Sequence, residues 1–397
     1  MLVKEGDPAL EALLAEEPAA ARKREQTAFA DAAGPSAASL VLFGAGNLGR
    51  RTLAGLRQVG VEPIAFTDNE SRLWGRTVDG LAVLPPAEAA GRFGRNSTFV
   101  VTIWRGEGTD RMGARVAQLR GLGCGTVVPF SPLFFLYPEI FLPHYALDLP
   151  HRVLDQAEDV RRAFALFSDP ASRAEYVAQV RWRLLQDFDV LPDPVAHEIY
   201  FPDDLFSLGP SEVLVDCGAF DGDTVRRFLA RRGGSFGLIE ALEPDPGNFA
   251  KLRSFRDSLP DAIRKRVRVH GFAAGAAPGK VRFQAVGTEA SRVGFGELEV
   301  PSVGLDDLME STRPTFVKMD IEGSELDAIA GCRRILAQDR PALAICCYHL
   351  QDHLWRIPLA IAQLAPDYCF FLRPHLLEVW DLVCYAVPEE RLEEPWT

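Results

Sequence analysis

Two stretches of this chain send an apolar strand straight into a glycine turn that opens a helix, and this pattern constrains the fold more than any other feature. Residues 40–46 read LVLFGAG ahead of a helix expected over 48–59, and residues 215–224 read VDCGAFDGDT at the end of a strand expected over 213–217. A strand apolar on both faces that returns through a helix belongs in a parallel sheet covered on both sides. After the first unit, strands are expected at 62–67, 81–84, 98–104 and 126–129, with a helix over 110–122. After the second, strands are expected at 236–242, 267–272, 316–321 and 342–348, with helices between the strands. The chain closes on two strand runs, 368–372 and 382–387. Their connection is too short for a crossover helix, so it requires an antiparallel pair. The expected fold class is α/β, with two doubly wound modules. The second is a seven-stranded sheet with an antiparallel terminal hairpin.

A length of 397 residues fits two domains. Residues 1–35 read as an amino-terminal helix and linker: Asp7 caps, Pro8 sits in the first turn, Leu10, Leu13 and Leu14 share a face, and an Ala/Gly/Pro tail follows. The first α/β module spans 36–130. Residues 131–211, rich in Pro and aromatics, read as a helical connector with helices near 153–167 and 170–187, the second capped by Asp169 with Pro170 behind it. The second module spans 212–397.

The formal net charge of −12 argues against a nucleic-acid partner, since a phosphate backbone is held mainly by Lys and Arg. Seven cysteines without CxxC spacing, most of them in apolar strand-like runs, imply neither a disulfide framework nor a cysteine-rich zinc site. They suit a reducing, cytoplasmic setting. Lys4, Glu5, Glu11 and Glu16 interrupt any apolar leader. The greasiest run, 133–142, is far shorter than the ~18 apolar residues of a membrane span. No membrane association is expected.

The chemistry gathers at the carboxyl ends of the second module's strands, where such sheets open their ligand crevice. Gly218 and Gly222 let the backbone come close to a ligand. Asp216 would repel a pyrophosphate and would suit an ammonium or sulfonium group; otherwise it caps the following helix. Glu243, in LEPDPGNF (242–249), ends the next strand 27 residues on. There it can accept both hydroxyls of a ribose, or stand as a solvated turn residue. Pro244 stops that strand and Asn248 is read as opening the next helix. In VKMDIEGSE (317–325), Lys318, Asp320 and Glu322 share one strand face, which is costly unless they are paired or face a site. A buried structural ion pair is the plain alternative for Lys318. CCYHLQDHLWRIP (346–358) brings His349, Asp352 and His353 to the same rim, where a histidine can remove a proton near neutral pH. His375, in LRPH (372–375), is a weaker candidate.

Taken together, these segments resemble the FkbM-type methyltransferases, S-adenosylmethionine-dependent enzymes known for O-methylating sugars and polyketide-like natural products. The resemblance covers roughly 200–388. It rests on YFPDDLFSL (200–208), the glycine loop, the EPDP turn, the alanine-rich end of the third strand (Ala273, Ala274), KMDIEG, and the YH…IP segment. It implies S-adenosyl-L-methionine as cofactor, with Asp216, Gly218 and Gly222 at its methionine end, Glu243 on the ribose, and Ala273 or Ala274 near the adenine. Ala219, Thr224 and Asn248 complete the expected cofactor set. Phe220 stands where many methyltransferases carry another glycine. Asp320, Glu322 and His349 are the expected catalytic or acceptor-binding set, and no metal is assigned. The expected acceptor is a small molecule such as a sugar, a nucleotide-sugar or a secondary metabolite, and a homo-oligomer is compatible with the sequence.

In the first module, Gly44, Gly46 and Gly49 form a GxGxxG between strand and helix, and Asp68 ends the next strand 22 residues after Gly46. The module is similar to the small Rossmann-like domains that precede some sugar-modifying transferases and bind a nucleotide-sugar. The glycines also suit helix–strand packing without any ligand. Two other functional classes stay open: a non-catalytic nucleotide-binding module, and an NAD-dependent oxidoreductase built on the first module.

Overall fold

The structure, a computed structural model, describes residues 7–105, 110–285, 292–294 and 296–393. Lys4, Glu5 and the outermost residues of the 1–35 and 212–397 segments lie outside these. The chain divides into two compact units, each discontinuous in sequence. The first comprises Met1–Glu158, Val177–Pro194 and Leu376–Trp380, and the second Asp159–Tyr176, Val195–His375 and Asp381–Thr397. The segment expected as a single connector, 131–211, is thus shared between them.

In the first unit, Asp7 caps α1 (Pro8–Leu14), its Oδ1 accepting from the Ala9 amide at 2.8 Å, and Leu10 and Leu14 are buried. The expected Ala/Gly/Pro tail is instead a second helix, α2 (Pro18–Ala33), with Pro18 in its first turn and Gly34, at φ +54°, closing it. Alanine has the highest helix propensity, which outweighs the linker-like look of the segment. A six-stranded sheet follows: β1 (Leu40–Phe43), β2 (Ala65–Thr67), β3 (Thr77–Val78), β4 (Leu81–Leu84), β5 (Thr98–Val101) and β6 (Thr126–Pro129). Its order is β3-β4-β2-β1-β5-β6, parallel except for the β3–β4 pair. The helices α3 (Asn47–Gln58), α4 (Pro86–Phe93) and α5 (Met112–Gly121) make the crossovers. All of β1 and β5 is buried, as continuous apolar strands in a covered sheet must be.

The aromatic run after β6 forms α6 (Phe130–Leu136) and α7 (Pro138–Phe141), in which Phe134 stacks on Phe141 with ring centroids 4.3 Å apart. Next come α8 (His151–Asp155), α9 (Ala157–Leu166) and α10 (Pro170–Leu185). Asp169 caps α10, as the sequence implies, by accepting the Ser172 amide at 2.7 Å.

The second unit holds a seven-stranded sheet of β7 (Val213–Cys217), β8 (Leu238–Leu242), β9 (Val267–His270), β14 (Phe316–Met319), β15 (Ala342–Cys346), β16 (Tyr368–Pro374) and β17 (Leu382–Pro388). Its order is β16-β17-β15-β14-β7-β8-β9. Only β17 runs against its neighbours, lying between β15 and β16. The expected antiparallel hairpin is therefore present, with the last strand inserted rather than at the edge. The crossover helices are α11 (Asp223–Arg232), α12 (Pro246–Ser258), the single-turn α13 (Asp261–Arg264), α15 (Glu325–Ala330) and α16 (His353–Leu364).

Between β9 and β14 the expected helix is replaced by a four-stranded sheet and one helical turn. These are β10 (Ala273–Ala274), β11 (Gly279–Gln284), β12 (Arg292–Val293), β13 (Leu298–Val303) and α14 (Leu305–Leu308). Ala273 and Ala274 are accordingly not the end of the third strand. They pair in parallel with Ser302 and Val303 in this smaller sheet. All seven cysteines are free thiols. Among the described residues, no helix is long and apolar enough to cross a membrane.

Candidate active site

The glycine loop leaves β7 between the two strands that flank it, β14 and β8. Gly218 has φ +79°, and a Cβ there would lie 1.9 Å from the Asp320 carbonyl oxygen, so this position requires glycine. Its amide and that of Ala219 both donate to the Leu242 carbonyl, at 3.0 and 2.9 Å. Gly222, at φ +93°, turns the chain into α11, and a Cβ there would meet the Phe255 ring at 2.6 Å. Thr224 lies in the first turn of α11, and its buried hydroxyl has no hydrogen-bond partner among the described residues.

Asp216 is fully buried, so its side chain offers no surface to a ligand in this arrangement. Its Oδ1 lies 3.1 Å from Lys318 Nζ. Burial works against the Lys318 charge, but Asp216 and Asp320 outweigh it and raise the ammonium pKa. Lys318 also donates to the Gly218 carbonyl at 2.7 Å. The buried ion pair considered for Lys318 is therefore present, and it holds the loop from beneath.

Glu243 Oε2 accepts from the Phe220 amide at 2.9 Å and Oε1 from the Asp245 amide at 2.8 Å, while its own amide donates to the His270 carbonyl at 2.9 Å. Each carboxylate oxygen keeps a second lone-pair direction for another donor. Burial pushes this carboxyl up to about 7, against the two amide bonds that favour its charge. Asp245, not Asn248, opens the next helix: its Oδ1 accepts from the Gly247 and Asn248 amides at 2.8 and 3.1 Å. Asn248 sits inside the first turn, where its Oδ1 accepts from Lys251 Nζ at 3.1 Å. The Lys251 ammonium in turn lies 5.3 Å from the Phe220 ring centroid.

The three expected catalytic residues meet. His349 Nε2 lies 3.2 Å from Asp320 Oδ1 and 3.6 Å from Glu322 Oε1. Asp320 is joined directly to the glycine loop, because its amide donates to the Cys217 carbonyl at 3.1 Å. Two partners were not anticipated from sequence. Tyr200 donates its hydroxyl to Asp320 Oδ2 at 2.8 Å, and Glu325 Oε1 accepts from His349 Nδ1 at 2.8 Å. Glu325 was visible at the end of VKMDIEGSE, three residues after Glu322, but nothing in its spacing set it apart from a solvated first-turn acid.

Burial disfavours charge on His349, yet Glu325, Glu322 and Asp320 reverse this and raise its pKa well above the ordinary value. The three carboxylates thus favour the imidazolium form, which has no lone pair to take a proton. Asp320 is driven the other way: burial raises its pKa, but the His349 hydrogen bond and the Lys318 charge bring it down to about 2. For Glu322 burial prevails, and its pKa is raised. His353 Nδ1 lies 3.2 Å from Glu325 Oε2. Asp352 faces Arg356 at 2.9 Å, away from this cluster. His375 Nε2 bonds the Tyr385 hydroxyl at 2.8 Å, and burial lowers its pKa to about 4. Among the described residues, no group of His, Cys, Asp and Glu is arranged to hold a metal ion.

In the first unit, Asp68 Oδ2 accepts from the Ala45 amide at 2.7 Å and its Oδ1 from the Glu70 amide at 2.8 Å. A Cβ on Gly49 would lie 1.8 Å from the Gly44 carbonyl oxygen, and one on Gly44 would lie 2.5 Å from the Ile103 side chain. Gly49 thus serves helix–strand packing, and Gly44 the close approach of the chain leaving β5. Gly46 alone faces open space.

The sequence from 216 to 372 matches the family model described as the methyltransferase FkbM domain. No curated protein matches the chain. Among solved structures, the chain is similar to a methyltransferase FkbM from Methylobacillus flagellatus KT, with a TM-score of 0.74 and 24% identity, covering 95% of this chain and 97% of that one. A putative methyltransferase from Streptococcus mutans in complex with SAH aligns over 45% of this chain and 90% of its own, with 13% identity and a TM-score of 0.29. The first of these shares the two-unit fold, and the family match falls on the segment that holds the glycine loop, Glu243, the Asp320–Glu325 turn and His349. Residues 216–372 of this chain are a methyltransferase FkbM domain, and the second unit is built around it.

Proposed function

We propose that the second unit transfers the methyl group of S-adenosylmethionine to a hydroxyl of a small acceptor, a sugar or a secondary metabolite. The observation that carries this reading is Glu243. Its carboxylate is bonded to the glycine loop through one oxygen and to its own turn through the other, and both oxygens can still accept from a diol such as a ribose. The Thr224 hydroxyl, without a partner among the described residues, and the glycine-only approach at Gly218 also fit a ligand lying along this loop. Gly218, Ala219 and Gly222 bring their backbone to the methionine end, with Asn248 linked through Lys251 to the Phe220 ring. Ala273 and Ala274 keep their adenine-side assignment in the smaller sheet. Asp216 acts from beneath, through Lys318.

When bound, S-adenosylmethionine supplies an electrophilic methyl group on a sulfonium. The chain's own residues position the acceptor and manage its proton. Tyr200 and His349 occupy the two oxygens of Asp320, and the carboxylates around His349 raise its pKa and favour its protonated form. Glu322 remains: its raised pKa makes it the more basic carboxylate at the rim. We assign it the acceptor's proton, a role worth roughly 10²–10⁴ in rate. The free thiols suit a cytoplasmic enzyme.

Methyl-labelled S-adenosylmethionine, incubated with the full chain and a panel of sugars, nucleotide-sugars and hydroxylated metabolites, tests this reading. Label in an alkali-stable ether is the expected result, reduced by the above factor in Glu322→Gln with cofactor affinity retained. Label on nitrogen or carbon, or a nicotinamide retained in place of S-adenosylmethionine, would overturn it.

A further inference from the structure

His349 faces three carboxylates, with Glu325 at 2.8 Å, Asp320 at 3.2 Å and Glu322 at 3.6 Å. Of these, Glu325 alone is wholly buried. A buried carboxylate is tolerated only with a charge partner and hydrogen bonds. Lys318 is paired with Asp216 at 3.1 Å, and the imidazoles that reach Glu325 are His349 on Oε1 and His353 on Oε2. Glu325 also accepts from the Ile321 amide at 3.0 Å and the Gly323 amide at 3.4 Å. It therefore fixes the turn in which Glu322 is held at φ +53° and Gly323 at φ +104°. One side chain thus sets both the backbone that carries Glu322 and the ring that Glu322 and Asp320 face.

We propose that Glu325 is the positioning residue of this rim: it accepts the Nδ1–H hydrogen bond of His349, holds the ring with Nε2 turned to Asp320 and Glu322, and so keeps those two carboxylates in register for the acceptor. Glu325 touches neither cofactor nor acceptor; it acts through His349. The groups that face His349 are Glu325 on α15, Asp320 and Glu322 in the turn after β14, and Tyr348 beside it with ring centroids 4.2 Å apart. His353 on α16 lies across Glu325, and Tyr200 and Lys318 stand behind Asp320. If the ring lost its proton, three negative groups would share a small, mostly dry space, and their repulsion opposes that loss. The inference deepens the methyl-transfer reading and rests on it for its consequence, though not for its measurement.

The test is ¹⁵N NMR of the intact chain labelled at its histidine rings, with S-adenosylhomocysteine added, and with His349→Asn used to assign the signal. The wild-type ring should show both nitrogens protonated across neutral pH. Glu325→Gln should bring its titration midpoint down toward the ordinary histidine value of about 6.5, and by more than either Asp320→Asn or Glu322→Gln does. A neutral His349 in the wild type, which needs no variant to detect, would overturn the proposal. So would a larger shift from Glu322→Gln or Asp320→Asn. Calorimetry with S-adenosylhomocysteine on the same samples reads the cofactor assignment separately: loss of binding with an intact imidazolium would refute that assignment and leave Glu325 standing.

Discussion

The carboxylate of Glu243 accepts the Phe220 amide at 2.9 Å, which fastens the glycine loop after β7 to the end of β8. Glu243→Ala removes this bond together with the acceptor proposed for a ribose. Charge-assisted hydrogen bonds contribute roughly 1.5–3 kcal/mol each. Affinity for S-adenosylmethionine should therefore fall at least about tenfold while the circular dichroism spectrum stays native. Unchanged affinity by calorimetry would remove Glu243 from the cofactor site.

The same carboxyl makes binding depend on pH. Its folded value of about 7 lies above the ordinary glutamate range, so in the free protein it is protonated below that pH and ionised above it. A diol donates to the ionised form, so cofactor affinity should rise as pH increases through 7, with release of about half a proton per cofactor at pH 7. For stability the sign is opposite. A raised acid pKa stabilises the fold below the unfolded value, and that contribution is lost as pH rises through about 7. Calorimetry in buffers of differing ionisation enthalpy measures the released proton, and Glu243→Gln should abolish it.

The glycines of the first unit should separate sharply. Gly46→Ala adds a Cβ that meets nothing within 4 Å and should cost no more than about 1 kcal/mol. Gly49→Ala drives a Cβ to 1.8 Å from the Gly44 carbonyl oxygen and should cost more than about 3 kcal/mol. Urea titrations of the two variants compare them directly, and equal midpoints would contradict the packing account.

Asp169 is buried against Arg373, with Oδ2 2.5 Å from Nη2, while its Oδ1 caps α10. Arg373 also donates to Ser172 Oγ at 2.8 Å. Asp169→Ala leaves the guanidinium buried with, among the described residues, only the more distant Asp204 as an anion, at 3.5 Å, and should cost about 3–5 kcal/mol. Thermal unfolding of the full chain reads this loss, and Arg373→Leu in the Asp169→Ala background should recover part of it.

Where residues announce their own environment, the sequence was readable. The continuous apolar runs of β1, β5, β7 and β15 could only be covered strands, and a short link between β16 and β17 could only join antiparallel neighbours. The small sheet between β9 and β14 gave no such signal. Its strand β11 is mostly exposed and carries Lys280, Arg282 and Gln284, so its order comes from pairing with β13 rather than from an apolar pattern. α4 was missed because its Pro-Pro start and alanines look like a loop. At the site, Asp320, Glu322 and His349 were found as a group, since strand ends converge in a parallel sheet. Which of them is protonated was not legible. That depends on Glu325 and Tyr200, which reach the cluster through packing rather than through local spacing. Asp216 looked like a ligand group for the same reason: the lysine that neutralises it lies about a hundred residues further along the chain.

The chain passes from one unit to the other five times. During synthesis, therefore, neither unit can be finished when its neighbour begins. The sheet of the first unit is complete by Pro129, but its loop from Leu376 to Trp380 leaves the ribosome only after nearly all of the methyltransferase sheet has done so. A single cut after Glu158 would keep every segment of the second unit on one fragment, but it would strand Val177–Pro194 and Leu376–Trp380 there and leave the first unit without them.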